Sequence, residues 1–279
     1  MKYSIRHINQ KELETAIEWA ATEGWNPGLY DADAFDAMDP QGYFMGYVDN
    51  EPVASISAVS YPGQFGFLGF YIVKPEYRGK GYGWKLWQEA MKYLNSHNVG
   101  LDGVVAQQEN YKKSGFTRAY ANIRYEGIGS NSVKKSKNIV PLSKVSFDEL
   151  LKYDREVFPA DRSSFLKIWF NQPKSLALGY IKDGKLLGFG MVRPCRVGYK
   201  VGPLFADNEK IAEELFQQFR VFVRKEKIYL DVPEVNKKAV FLAKKYKMVP
   251  MFETARMYTK EMPQIDLHKI FGVTTFELG

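Results

Sequence analysis

The chain carries few groups that react on their own. Its 279 residues include one cysteine, Cys195, and three histidines, at 7, 97 and 268. One cysteine allows neither an internal disulfide nor a thiolate cluster, and histidines so scattered suggest no metal site, so no metal is expected. No apolar run approaches membrane-spanning length, and the opening Met1-Lys2-Tyr3-Ser4-Ile5-Arg6-His7 has no apolar signal region. Neither membrane insertion nor secretion is expected; a cytoplasmic protein is. Hydrophobic content of 45% and aromatic content of 15% exclude a disordered chain. The length suffices for two domains with cores of their own.

Charge is unevenly spread. Residues 1–130 carry a net −3 and residues 131–279 a net +10, within a total of +7. A basic half suits a nucleic-acid surface, an anionic substrate or a solvated face. No nucleic-acid module is recognisable, so nucleic acid is not expected as a partner.

The most informative stretch runs from Phe70 to Gly83: Phe-Tyr-Ile-Val-Lys-Pro-Glu-Tyr-Arg-Gly-Lys-Gly-Tyr-Gly. An apolar strand-like run meets a proline, a basic glycine-rich loop and then a helical pattern. Such a loop can wrap a phosphate with its backbone N–H groups, helped by the start of the following helix. It is neither a P-loop, G-x-x-x-x-G-K-[ST], nor the dinucleotide fingerprint G-x-G-x-x-G, because its glycines fall at 79, 81 and 83. It resembles V-x-P-x-x-[RQ]-x-x-G-x-[GA], the pyrophosphate loop of the GNAT superfamily of acyl-CoA-dependent N-acyltransferases. Val73, Pro75, Arg78, Gly81 and Gly83 match.

The resemblance implies that acetyl-CoA, the family's usual acyl donor, binds here. Its pyrophosphate would lie on the N–H groups of Arg78, Gly79, Lys80, Gly81, Tyr82 and Gly83, and its pantetheine arm along the backbone of Tyr71, Ile72 and Val73. Arg78 and Lys80 add positive charge, with Lys74 available to a further phosphate. Tyr111-Lys112-Lys113-Ser114-Gly115-Phe116 resembles the family pattern Y-x-x-x-G-F. That likeness implies that Tyr111 protonates the departing CoA thiolate, which suits a phenol with a pKa near 10. Positions 104, 107 and 110, which in the family often precede this tyrosine as N-x-x-A-x-x-L, are Val104, Gln107 and Asn110 here.

Element order repeats: a helix expected from about Tyr82 to Ser96, with Trp84 among its buried residues, follows the loop in the first half, and strands near 252–260 and 271–278 close the second. Residues 1–128 read as a catalytic, acetyl-CoA-binding domain, 129–138 as a polar linker, and 138–279 as a divergent second domain. Each half is expected to be an α/β (α+β) GNAT fold, a mixed, mostly antiparallel twisted sheet flanked by helices. In the second half Asn236, Ala239 and Leu242 fit the family's lead-in, but Ala243 replaces the tyrosine and Lys247-Met248 replace Gly-Phe. The segment 201–208 has no basic glycine-rich run. This half is expected to lack its own catalysis and to wall the acceptor pocket or fix the geometry of the pair.

The acceptor is expected to be a primary amine, on a small molecule or a peptide. By position, Trp25 and Asn26 fall where the family lines that pocket. Asp31, Asp33, Asp36 and Asp39 could attract a cationic amine, but read rather as a helix N-cap and a solvated face. The base that takes the amine's proton is not legible: Phe65 to Val73 contains no carboxylate, leaving Asp102 and Glu109 as candidates. Cys195 lies outside the recognised site, so attack is expected to be direct, within a ternary complex. The alternative is a non-catalytic acyl-CoA-binding regulator whose basic second half contacts nucleic acid or a protein partner. Oligomeric state has no signature.

Overall fold

The computed structural model describes residues 2–132 and 136–279, so the expected linker at 129–138 lies partly outside the described residues. The chain opens with β1 (Tyr3–His7), α1 (Gln10–Thr22) and α2 (Asp31–Met38). Asn9 starts α1 with a reciprocal capping box to Glu12, and Leu13, Ala16, Ile17 and Ala20 recur at helical spacing to form its buried face. β2 (Tyr43–Val48) and β3 (Glu51–Tyr61) form a hairpin. Its turn residues Asp49 and Asn50 adopt the left-handed conformations, φ 46° and 72°, that such tight turns need. β4 (Phe65–Val73), the glycine loop and α3 (Tyr82–Tyr93) follow, then β5 (Asn98–Val104), α4 (Gln108–Lys113) and β6 (Thr117–Ile128).

The second half repeats this order: β7 (Ile139–Pro141), α5 (Phe147–Val157), α6 (Ser163–Trp169), β8 (Leu176–Lys182), β9 (Lys185–Pro194), β10 (Tyr199–Ala206), α7 (Glu209–Val223), β11 (Lys227–Pro233), α8 (Lys237–Lys245), β12 (Val249–Tyr258) and β13 (Ile270–Gly272). Asn236 caps α8 through Ala239 N–H, and its amide donates to the carbonyls of Leu267, His268 and Ile270. Its family-like spacing therefore serves structure here.

The two halves share one mostly antiparallel sheet in the order β1-β2-β3-β4-β5-β12-β6-β11-β10-β9-β8-β7, with β13 on β10. The equivalent last long strands have changed places. β12 inserts between β5 and β6, and β6 pairs with β11 of the other half. Each half is completed by the other.

Three expectations are corrected. The closing strand expected at 271–278 shrinks to β13, after which 273–279 runs as a buried irregular segment into the first half. There the Tyr61 hydroxyl donates to the Leu278 carbonyl at 2.8 Å. Gly69 lacks the Cβ that would collide with the Glu277 carbonyl, which is why β4 admits this segment. Trp84, expected inside, is 55% exposed. Asp31 is not on a solvated face but 1% exposed, paired with Arg193 of β9. Its burial follows from a partner 162 residues away, which no local pattern announces.

Candidate active site

β4 and β5 run parallel and paired only from Phe65 to Leu68 against Asn98 to Leu101. Beyond that β4 bulges: Phe70 and Tyr71 lie opposite the single residue Ile56, and Phe70 takes φ 46°. A bulge turns a strand edge away from its neighbour. The Ser55 hydroxyl donates to the Phe70 carbonyl at 2.8 Å and holds the distortion. The strands splay and enclose a cleft of about 560 Å³, within the usual range of small-molecule sites.

The glycine loop closes one end. Gly79 and Gly81 have φ of 75° and 80°, a left-handed conformation that disfavours side chains. Gly81 caps α3 with no side-chain hydrogen bond, and no acidic residue occupies the helix's first turn. Gly83 is required for space, since a Cβ there would come within 2.8 Å of both the Tyr71 hydroxyl and Val73. Among the described residues, no acceptor receives the backbone N–H groups from Gly79 to Gly83. Arg78 donates Nε–H to the Val73 carbonyl at 2.8 Å and pairs with Glu23 at the end of α1.

Tyr71, Ile72, Val73, Arg78, Gly79, Gly81, Tyr82, Gly83, Tyr111 and Trp25 all line this cleft. Lys80 and Asn26 do not. Lys80 is exposed and stands over the Tyr77 ring, at 5.2 Å. Asn26 uses both ends of its amide on Val197, at 3.0 and 2.9 Å, and so clips the Trp25 segment to the second half. Lys74 lies outside as well, paired with Glu51 at 2.9 Å.

Tyr111 sits on α4 with its ring stacked 5.6 Å from Trp87. Gly103 makes this possible, because a Cβ there would overlap the Tyr111 ring. Burial, and then the neighbouring Tyr71, raise the Tyr111 phenol well above its ordinary pKa. Among the described residues no group hydrogen-bonds its hydroxyl. Tyr71 is itself pushed up to about 12 by burial.

The opposite end is built largely by the second half, from Phe252 and Thr254 of β12 and from Phe276 and Glu277 of the 273–279 segment. Sequence reading missed all four as site residues. Glu277 did leave a trace, as the one carboxylate in the apolar run from Ile270 to Leu278. Asp102 also borders the cleft, but its carboxylate is taken by a bidentate pair with Arg256 at 2.6 and 2.9 Å and by Asn122 at 2.8 Å. Glu109 is exposed, pairs with Lys112 at 2.7 Å and does not line the cleft. Asp231 pairs with Arg124, and Arg162 with Asp154, each at 2.7 Å. The first pair joins the neighbouring strands β6 and β11, and the second joins α5 to the start of α6. The described residues contain no His, Cys, Asp and Glu cluster suited to a metal, and no helix long and apolar enough to cross a membrane.

Residues 5–116 match a model described as "Acetyltransferase (GNAT) family", and residues 150–272 one described as "Acetyltransferase (GNAT) domain". The chain is 34% identical over 278 residues to holothin acyltransferase of Pseudoalteromonas sp. (strain SANK 73390), covering 99% of this chain and 95% of that protein. A putative acetyltransferase from Pyrococcus horikoshii superposes with a TM-score of 0.85 at 21% identity, over 99% of this chain and 96% of that one. A tandem GNAT protein from the clavulanic acid biosynthesis pathway gives 0.65 at 12% identity, over 94% and 100%.

Proposed function

Because the chain belongs to the GNAT family of acyltransferases, with two such domains in tandem, we propose that it moves an acetyl group from acetyl-CoA to a primary amine by direct attack within a ternary complex. The observation that carries this reading is the cleft between β4 and β5, which joins unpaired loop N–H groups, a bare strand edge and a phenol. The loop N–H groups and the positive end of α3 suit a pyrophosphate, and they ask for no particular side chain. The edge of β4 that faces β5 beyond Leu68 has no paired strand; although the Val73 carbonyl accepts from Arg78, the edge from Tyr71 to Val73 is open to an amide-bearing arm. Bound there, the donor supplies a thioester carbonyl open to attack.

In this reading the Tyr111 hydroxyl gives its proton to the departing thiolate. Burial keeps the phenol protonated until that thiolate forms, and the same desolvation raises the thiol's own pKa, so the transfer stays close to balanced. The donor loop and the phenol belong to residues 1–128. The segment 138–279 has no second phosphate loop, since β10 passes to α7 through an Asn208 cap, and it contributes the acceptor wall. The likeness to a holothin acyltransferase makes holothin a candidate acceptor. A cytoplasmic site of action fits a single, buried, unpaired cysteine.

The test is mass spectrometry of an amine panel, holothin included, incubated with acetyl-CoA and the protein. An acetylated amine supports the reading; tight CoA binding without product on any amine sinks it in favour of a regulator. The loop carries a separate expectation. A valine forced into the left-handed conformation of Gly81 costs about 1–2 kcal/mol. In Gly81→Val the free loop is expected to relax out of that conformation and CoA to restore it, so affinity should fall roughly tenfold by calorimetry, 1.4 kcal/mol being a factor of ten. Unchanged affinity would remove the loop conformation from donor binding.

A further inference from the structure

The end of the cleft away from the glycine loop has a composition of its own. Its walls are aromatic: Trp25, Phe252 and Phe276. The Phe252 and Phe276 rings lie 6.3 Å apart, tilted by 43°. One buried guanidinium ties all three together. Arg124 donates to the Trp25 carbonyl at 2.7 Å and lies 5.9 Å from the Phe252 ring and 5.0 Å from the Phe276 ring. Arg124 is in turn fixed by a bidentate pair with Asp231, at 2.7 Å for both bonds. The slot is thus held rigidly from behind.

Two polar groups in this aromatic lining stand out. The Thr254 hydroxyl is buried and has no hydrogen-bond partner. The Glu277 carboxylate makes no ion pair among the described residues, and it accepts one hydrogen bond, from the Thr275 hydroxyl. Asp31, Asp102, Asp154 and Asp231, the other deeply buried carboxylates discussed above, each hold an arginine. A carboxylate at 4% exposure, with Lys200, Arg124 and Arg193 near but none paired to it, at the edge of an aromatic slot is costly to ionise unless something cationic or proton-donating meets it directly.

From this geometry we infer that the slot takes a primary amine borne on a small flat aromatic ring, seated against Trp25, Phe252 and Phe276, and that Glu277 receives the proton shed by its nitrogen. The inference rests on the acyl-transfer reading above. In the step itself the amine lone pair forms the N–C bond to the thioester carbonyl, and the C–S bond breaks. The nitrogen's proton passes to Glu277, and the thiolate takes a proton from Tyr111. Exchange with solvent then returns both side chains to their starting states. Atoms and charge balance with no further reactant.

The electrostatics suit that role. Burial pushes the Glu277 carboxyl above the usual range; Lys200, Arg124 and Arg193 pull it down, while Asp31 adds to the rise. A raised carboxyl is better matched to accepting a proton near neutral pH. Its folded-state pKa lies above its unfolded one, so ionisation above about pH 4 opposes folding. Replacing it with glutamine therefore removes no stabilising charge.

The deciding experiment compares benzylamine with cyclohexylmethylamine, equal in reach but flat in one case and puckered in the other. Aromatic pair contacts convert to about a tenfold preference for benzylamine, in kcat/KM and in direct binding to the wild-type protein. Phe276→Leu and Phe252→Leu should each shrink that preference. Glu277→Gln should lower kcat by about 10² with CoA affinity and melting temperature unchanged, and should remove the acidic limb of the pH–rate profile. Equal rates and affinities for the two amines, or a Glu277→Gln enzyme within twofold of wild type, would overturn the inference while leaving acyl transfer intact. Wild type inactive on every amine would instead sink the reading it rests on, and the inference with it. If Glu277→Gln does not fold, Glu277→Asp decides by its pH–rate profile: a displaced acidic limb supports the role, and an unmoved one overturns it.

Discussion

Asp31→Asn is expected to destabilise the protein by about 3–5 kcal/mol, because it leaves the Arg193 charge buried and unmatched. The carboxylate accepts from Arg193 Nε at 2.8 Å and Nη2 at 3.1 Å, from Gln172 at 3.2 Å and from the Gly28 N–H at 3.0 Å. Those bonds tie the start of α2, the segment after Trp25, the region following α6, and β9 to one point. Both side chains are essentially without solvent exposure, at 0% and 1%, so water cannot replace the lost partner. The guanidinium also lies 4.2 Å over the Trp169 ring and cannot move out without disturbing the core. Arg193→Met alone should cost a similar amount, whereas the double variant Asp31→Leu with Arg193→Met should recover most of it. The measurement is urea unfolding followed by tryptophan fluorescence; a loss under 1 kcal/mol for Asp31→Asn would contradict the account.

The same pair fixes an acid limit. Burial pushes the Asp31 carboxyl up, but Arg193 outweighs it and holds the pKa below the usual value; Asp231 is held down in the same way by Arg124. Groups with depressed folded pKa stabilise fully above their unfolded value near 3.9, and they lose that contribution as pH falls through the folded value. The melting temperature should therefore fall below about pH 4 and respond less to these two groups above it.

Tyr111→Phe is expected to lower kcat by about 10² while leaving acetyl-CoA affinity and stability close to wild type. The second half of that expectation makes the first informative. The substitution removes one oxygen, which no group hydrogen-bonds among the described residues, and it preserves the ring stacked 5.6 Å from Trp87. A structural tyrosine packed in this way tolerates phenylalanine with little change in rate. A thiolate acid does not, because an uncompensated thiolate leaves the cleft slowly. Stopped-flow thiol release with saturating amine reads the difference, and equal rates would take Tyr111 out of the mechanism.

The donor end of the cleft was legible because its chemistry is local. A phosphate loop needs glycines at set positions between a strand and a helix, and residues 70–83 contain strand, loop and helix in sequence. Tyr111 was legible for the same reason, in a short motif closing a helix. The acceptor end was not. Phe252, Thr254, Phe276 and Glu277 reach the cleft only because β12 takes the place of β6 and the 273–279 segment threads beneath β4. Neither event has a periodicity. Asp31 shows the same limit: four nearby aspartates read as a solvated face until an arginine from β9 is brought against the first of them.

The claim that one cleft holds donor and acceptor together is tested most directly by initial rates of thiol release, with acetyl-CoA and an accepted amine varied against each other. Direct attack within a ternary complex predicts double-reciprocal lines that intersect. Parallel lines, the mark of a covalent acyl-enzyme, would contradict the account.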